Sequence, residues 1–365
     1  MPCLLNLNNF IYLKLLINEK MGNVKLFMLA GALLSGVFAR AQAPLVAMGP
    51  AFSEPGDGWD KLIQLKNGNT VYLHFAKKDG LLVTVYNPQH ELAAADTVHA
   101  RQWNAADMES TEIDGIYEIN GAPVIFLQQL VKYNPVLYRL VLDGQTGQLV
   151  REDKLGELPS VQHRSVYADD NLASHDFFVE KDPDSDYYAV ASFSGTPIRK
   201  NDSIRERISV QHFSPSHELI NEGRYYLPDT SYSYFSYIGM AVQGKGKVYL
   251  GAVGFNAKRK EGSAPPRVIL SMLSPDSSAL AHQVLEYTTC FGNVTGCIRA
   301  APAISQVRML LYVPSLQKNG GSGIIMNTFG EAAGTLKKHL QLSLPALSQN
   351  ARQNLGYKEA FKGTP

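Results

Sequence analysis

Carboxylates at the head of apolar, alternating segments are the residues in this chain best suited to acid–base chemistry. Asp114 and Asp176 open or precede such segments, and Glu118 lies inside one. Two or three carboxylates gathered at one place are what glycoside hydrolysis requires. Their placement does not recur along the chain, so the sequence alone favours a different chemistry, recognition by loops. Cations gather at Arg199, Lys200, Arg205 and Arg207, at Lys258, Arg259, Lys260 and Arg267, and at Lys318. Aromatics gather at Trp103 and at Tyr232, Tyr234, Phe235 and Tyr237. Guanidinium and ammonium groups suit carboxylates and phosphates, while aromatic faces suit sugar rings and peptide side chains. The competing reading makes the cations solvated loop charge and the aromatics wedges in the core.

Other constellations are weaker. Asp182, Asp184 and Asp186 have the D-x-D-x-D spacing of a calcium loop, but the glycine and terminal glutamate of that pattern are missing, so a hairpin turn is expected. His163 and His175 stand near Asp169, Asp170 and Asp176 without ligand spacing on a helix. No P-loop, dinucleotide fingerprint or G-x-S-x-G elbow is present, and no metal or cofactor is expected. Cys290 and Cys297 lie in CFGNVTGC. In an exported chain they are expected to bond to each other, which over so short a loop stabilises by roughly 2–3 kcal/mol.

These residues must be positioned by strands. Leu137 to Leu142 alternates, Asp143-Gly144 and Gly147 turn the chain, and Gln148 to Leu155 returns, the pattern of a β-hairpin. Similar hairpins recur. One series of turns centres on Gly68, Gly121, Asp184, Gly246 and Gln306, a second on Pro88, Gly144, Pro215, Pro275 and Gly330. Both keep a period near 60 residues, the mark of a repeat architecture. Four short strands per unit, with no amphipathic helix between units, predict an all-β fold: a β-propeller of about five four-stranded blades over residues 59–342. A pair of β-sandwiches is the competing fold.

Asp182-Pro183-Asp184 before Tyr187 to Ser192, and Leu142-Asp143-Gly144 before a polar strand, resemble the PD-type propeller repeats of exported bacterial proteins. The resemblance implies blades whose strands run A to D outward. Their D–A and B–C loops then share one face, and the cationic and aromatic loops are of these two kinds. The fifth unit departs most, since its turn at Gln306 lacks Gly, Asp or Pro.

The N-terminus carries an export signal. Lys25 precedes the apolar run Leu26 to Phe38, and Ala39-Arg40-Ala41 is a small-x-small cleavage site before Gln42. Met21 is the expected start, and residues 42–58 read as irregular. The formal net charge of +1 calls for neither nucleic acid nor an anionic membrane. The expected protein is a periplasmic or secreted monomer without a membrane span in its mature part. It binds a peptide, glycan or protein partner through Trp103, Tyr232, Tyr234, Phe235, Arg199, Lys200, Lys258 and Arg259. A propeller-type glycoside hydrolase is the alternative. Asn354 to Phe361 reads as the first strand of a further unit, so an incomplete larger propeller is expected.

Overall fold

The structure, a computed structural model, describes residues 57–77, 79–160, 174–195, 207–225, 232, 234–256, 266–285, 294–301, 303, 305–313, 323–330 and 336–343. Twenty strands form five four-stranded antiparallel sheets, each a meander of consecutive strands. Blade 1 contains β1 (Trp59–Gln64), β2 (Thr70–Ala76), β3 (Gly80–Tyr86) and β4 (Leu92–Thr97). Blade 2 contains β5 (Thr111–Ile119), β6 (Ala122–Val131), β7 (Asn134–Leu142) and β8 (Leu149–Glu157). Blade 3 contains β9 (Phe177–Lys181), β10 (Tyr188–Phe193), β11 (Ile208–Phe213) and β12 (Leu219–Arg224). Blade 4 contains β13 (Tyr234–Gln243), β14 (Lys247–Phe255), β15 (Arg267–Leu273) and β16 (Ala281–Leu285). Blade 5 contains β17 (Thr295–Ala301), β18 (Gln306–Val313), β19 (Gly323–Gly330) and β20 (Leu336–Ser343). The all-β, blade-type fold expected from the two turn series is the fold observed.

Turn chemistry explains the meanders. Asn120 and Gly121 both take positive φ, 52° and 77°, as the two-residue turn between β5 and β6 requires. Lys132 and Tyr133 do the same at 49° and 70° between β6 and β7. Neither is Gly or Asn, so that turn holds backbone strain on the order of 1–3 kcal/mol per residue. In blade 5 the expected turn at Gln306 is displaced. Gln306 already pairs with Gly330 in β18, and Ser305, at φ 50°, supplies the left-handed residue instead.

Each blade is too thin to bury its side chains alone. Four apolar clusters form, one between each consecutive pair of blades. Val71, Leu73 and Val83 of blade 1 meet Ile125, Leu127 and Leu140 of blade 2. Phe126 and Val141 of blade 2 meet Val179 and Val190 of blade 3. Val210 joins Met240 and Leu250 across blades 3 and 4, and Tyr249 joins Met309 and Leu311 across blades 4 and 5. Middle strands such as β14 are therefore buried on both faces, whereas outer strands such as β4 are largely exposed. β18 alternates: Val307, Met309, Leu311 and Val313 face blade 4, while Leu310 and Tyr312 are exposed. The first strands meet one another, β5 with β9, β9 with β13 and β13 with β17, and form the inner wall. Among the described residues no helix is long and apolar enough to cross a membrane.

Candidate active site on the inner strands

The loop residues expected to bind ligand divide into two groups. Arg199, Lys200, Lys258 and Arg259 lie outside the described residues. The aromatics are inside the protein. Trp103 is 2% exposed, and its ring N–H reaches Thr111 Oγ1 at 3.3 Å. The backbone N–H groups of Arg101, Gln102 and Trp103 all donate to the Glu152 carboxylate at 2.7–2.9 Å, which ties this loop to β8. Tyr232 packs on Gly254, where an added Cβ would lie 2.8 Å from the ring. Phe235 is edge-on to Tyr225 and to Tyr232, and Tyr234 leans on Phe255. These rings fill the space between strands and offer no open face to a ligand. Tyr234 and Phe235 are moreover the first residues of β13 rather than part of a loop.

Cys297 is a free, exposed thiol. It lies within β17 opposite Leu310 rather than in a connecting loop, so the ladder, not a tight loop, sets the direction of its side chain. The expected bridge is therefore not formed; Cys290 lies outside the described residues, as do His163, Asp169 and Asp170. The Asp182–Asp186 segment is a hairpin turn. Asp182 accepts the Gly244 N–H at 2.9 Å, and Asp186 pairs with Lys66 at 3.0 Å and Lys181 at 3.2 Å. The backbone N–H of Asn120 also donates to Asp186, and that of Lys66 to Glu118, so the first turns of blades 1, 2 and 3 converge. Glu118, next to last in β5, is thereby tied to the β1–β2 turn. His175 is buried. Its Nδ1 accepts the Gly195 N–H at 2.9 Å, which leaves the ring proton on Nε2, facing the Pro159 carbonyl at 2.8 Å.

The strand geometry does bring Asp114 and Asp176 together. In β5 the pairing with β6 slips between Ile113 and Gly115, which makes Asp114 the extra, bulged residue. Bulges re-aim a side chain, and they occur preferentially beside active sites. Asp176 extends β9 by one residue, exchanging backbone hydrogen bonds with Phe193 at 2.9 and 3.1 Å. Gln128, buried in β6, fastens the two blades. Its Nε2 donates to Asp176 Oδ1, and its Oε1 accepts the Phe177 N–H at 3.1 Å. Burial, then the negative charges of Asp176 and Glu112, pushes the Asp114 carboxyl up to about 8. Its Oδ2 is buried without a hydrogen-bond partner among the described residues. A carboxyl that keeps its proton at neutral pH, with a second acid beside it, is an arrangement that acid–base catalysis can use.

The far end of the same wall differs. Phe178 and Tyr237 stack at 3.8 Å and 8°. Tyr117 donates its hydroxyl to the Val179 carbonyl at 3.0 Å, and burial, followed by the charge of Glu180, raises both tyrosine hydroxyls far above their ordinary range. Glu180 itself is raised by burial, an effect that Arg299 partly offsets. Sequence reading missed Glu180, the next-to-last residue of β9 (FFVEK), because its place beside Lys181 reads as ordinary turn-side charge. It also missed Tyr133, 54% exposed at the strained β6–β7 turn on the loop face that lies toward Asp114.

No protein-family model matches the chain, and neither does any curated protein. Several solved structures are similar to it at low identity. An ulvanlyase from a new family of polysaccharide lyase shares 10% identity with a TM-score of 0.42, over 81% of this chain and 73% of that one. A mutant of AofleA from Arthrobotrys oligospora shares 11% with a TM-score of 0.37, over 78% and 72%. A beta-xylosidase shares 8% with a TM-score of 0.33, over 77% and 94%. At that level of similarity none of them assigns a site or a substrate here. What is established is architecture: the described residues form five four-stranded, propeller-type antiparallel blades, with Asp114 and Asp176 where the second and third inner strands meet.

Proposed function

We propose that this chain is an exported, carbohydrate-active propeller that hydrolyses a glycosidic bond at Asp114 and Asp176. One observation carries the reading: two acids from different blades meet at the inner wall, where burial and the neighbouring Asp176 push the Asp114 carboxyl up to about 8. Asp114 gives its proton to the glycosidic oxygen as the C–O bond breaks. Asp176 takes a proton from the water whose oxygen bonds to the anomeric carbon. No cofactor is required, since water is the only co-reactant. Gln128 holds Asp176 in register, and the Asp114 bulge turns the acid inward. The burial of Trp103, Tyr232, Tyr234 and Phe235 weakens the competing reading, a non-catalytic loop-binding module, by removing its described aromatic surface. The expected export signal fits a polymeric substrate that cells do not take up.

The test is a screen of soluble polysaccharides for new reducing ends, run in parallel with a binding array of the same polymers. Asp114→Asn and Asp176→Asn should each lower turnover by about 10²–10⁴-fold while leaving the glycan bound. A glycan that is held intact, with affinity indifferent to both substitutions, would return the protein to the binding class.

A further inference from the structure

At the opposite end of the inner wall from Asp114 and Asp176 lies a cavity of about 250 Å³. It is built by three blades: the end of β9 and its turn, the Met240–Gly244 segment of β13, and Arg299 with Ala300 from β17. That size suits a compact molecule. Its floor is the buried Met240–Val242 stretch of β13, with Met240 and Val242 turned toward blade 3 and Ala241 toward blade 5. Among the described residues, Arg299, Glu180 and Asp184 line it without an ion pair, while Asp182, also in the lining, accepts the Gly244 N–H and the Ser185 hydroxyl. Arg299 is exposed, and among the described residues its one hydrogen bond is a long one, 3.5 Å, from Nη1 to the Ile298 carbonyl. Glu180 is half-buried on β9 and feels Arg299 only through space. The other cation nearby is spent. Lys181 Nζ bonds the Asp182 carbonyl at 3.1 Å, Asp186 at 3.2 Å and the Ser185 carbonyl.

A guanidinium whose other donors have no partner among the described residues recognises a carboxylate. A carboxyl group on the far wall recognises a cationic donor, and burial makes it gain more from one than a solvated carboxylate would. An apolar floor between them accommodates an aliphatic chain. We propose that this cavity is a binding site for a small α-amino carboxylate, with the ligand's carboxylate on Arg299, its ammonium on Glu180 and its side chain over Met240, Ala241 and Val242. The site is independent of the glycosidase reading, because it lies at the other end of the wall and its test uses no turnover.

The full chain is titrated with L-leucine, with L-leucinamide, which lacks the carboxylate, and with 2-hydroxyisocaproate, which lacks the ammonium, and binding is followed by calorimetry. Leucine should bind saturably and at least about tenfold more tightly than either analogue, a preference of about 1.4 kcal/mol. Arg299→Gln should erase the difference between leucine and leucinamide. Glu180→Gln should erase that between leucine and the hydroxy acid. Should either variant fail to fold, the ranking of the three ligands on the native chain still decides. Absence of saturable leucine binding, equal affinity for leucine and leucinamide, or leucine affinity unchanged in Arg299→Gln would each overturn the assignment.

Discussion

Between blades 2 and 3 a charge lies at the centre of the packing, whereas the blade 4–blade 5 cluster is built from apolar side chains. Arg139 of β7 is 1% exposed. Its Nε and Nη2 bond Asp153 Oδ2 at 3.0 and 2.6 Å, its Nη1 donates to the Tyr188 hydroxyl, and its guanidinium lies 5.4 Å from the centre of the Phe213 ring. The Tyr188 hydroxyl continues to His217 Nδ1 at 3.1 Å. Across blades 4 and 5, Ile298, Met309 and Leu311 press on β14, and Gly251 leaves the room they fill. A buried cation is stable only where every partner is in place, so the first contact accepts one arrangement of its two blades. The second accepts any that keeps its volume filled. The candidate acid pair lies at the first, and that is where two carboxylates from separate blades must hold a fixed relation.

Four measurements would break or sharpen this contrast. The largest effect is expected from Arg139→Ala, a loss of about 3–5 kcal/mol in urea denaturation, because Asp153, Tyr188 and a cavity are all left behind. Arg139→Met is the sharper version: if it matches the native protein in stability and the acid pair still works, the charge specifies nothing and the contrast fails. Met309→Ala at the apolar contact should cost about 2–4 kcal/mol through the cavity it opens, without altering any activity at Asp114. Gly251→Ala should cost about 1–3 kcal/mol. Its new Cβ would stand 2.9 Å from Ile298 Cδ1 and 3.1 Å from Met309 Cε, both side-chain ends that can yield. The smallest effect is in pH. Burial, then the charges of Arg139 and Arg151, lowers His217 to about 4 from 6.5. The unfolded chain therefore takes up a proton that the folded one refuses, and stability falls as pH drops from about 6.5 to about 4. The ring is buried, 9% exposed, and the loss is on the order of 1 kcal/mol over the first pH unit below 6.5. Thermal melts of His217→Gln across that window should be flatter than those of the native chain; parallel curves would show that the contact does not sense acid.

Much of the fold was legible because alternation and turn residues are local. Leu137 and Val141 do face blade 3, while Tyr138, Leu140 and Leu142 face blade 1, as their alternation demands. What alternation cannot say is that both faces are buried, which is why Arg139, on the same side as Leu137, gave no sign of being a core residue. The aromatic run around Tyr234 misled for the same reason. Tyr234, Phe235 and Tyr237 belong to β13, and a segment rich in rings reads as surface until the neighbouring strands are in place to cover it. Asp114 and Asp176 were singled out by their position at strand starts. Their proximity was not legible, because it depends on a one-residue bulge and on Gln128 reaching across from another blade. Glu180 was invisible, since nothing in a five-residue strand marks one face as lining a cavity.

The ion pair between Lys66 and Asp186 has a consequence in time. Every blade is a run of consecutive strands, so nearly all its hydrogen bonds close over short stretches of chain and can form early. Lys66 and Asp186 are 120 residues apart and belong to blades that are not neighbours in sequence. They can meet only after blade 2 has formed and blade 3 has docked on it. A bond that exposed adds little to equilibrium stability. It is instead a clock mark: a probe placed at either residue would report the moment when separate hairpins become one ordered array, and Lys66→Ala should leave the early phases of refolding untouched while changing, at most, the last.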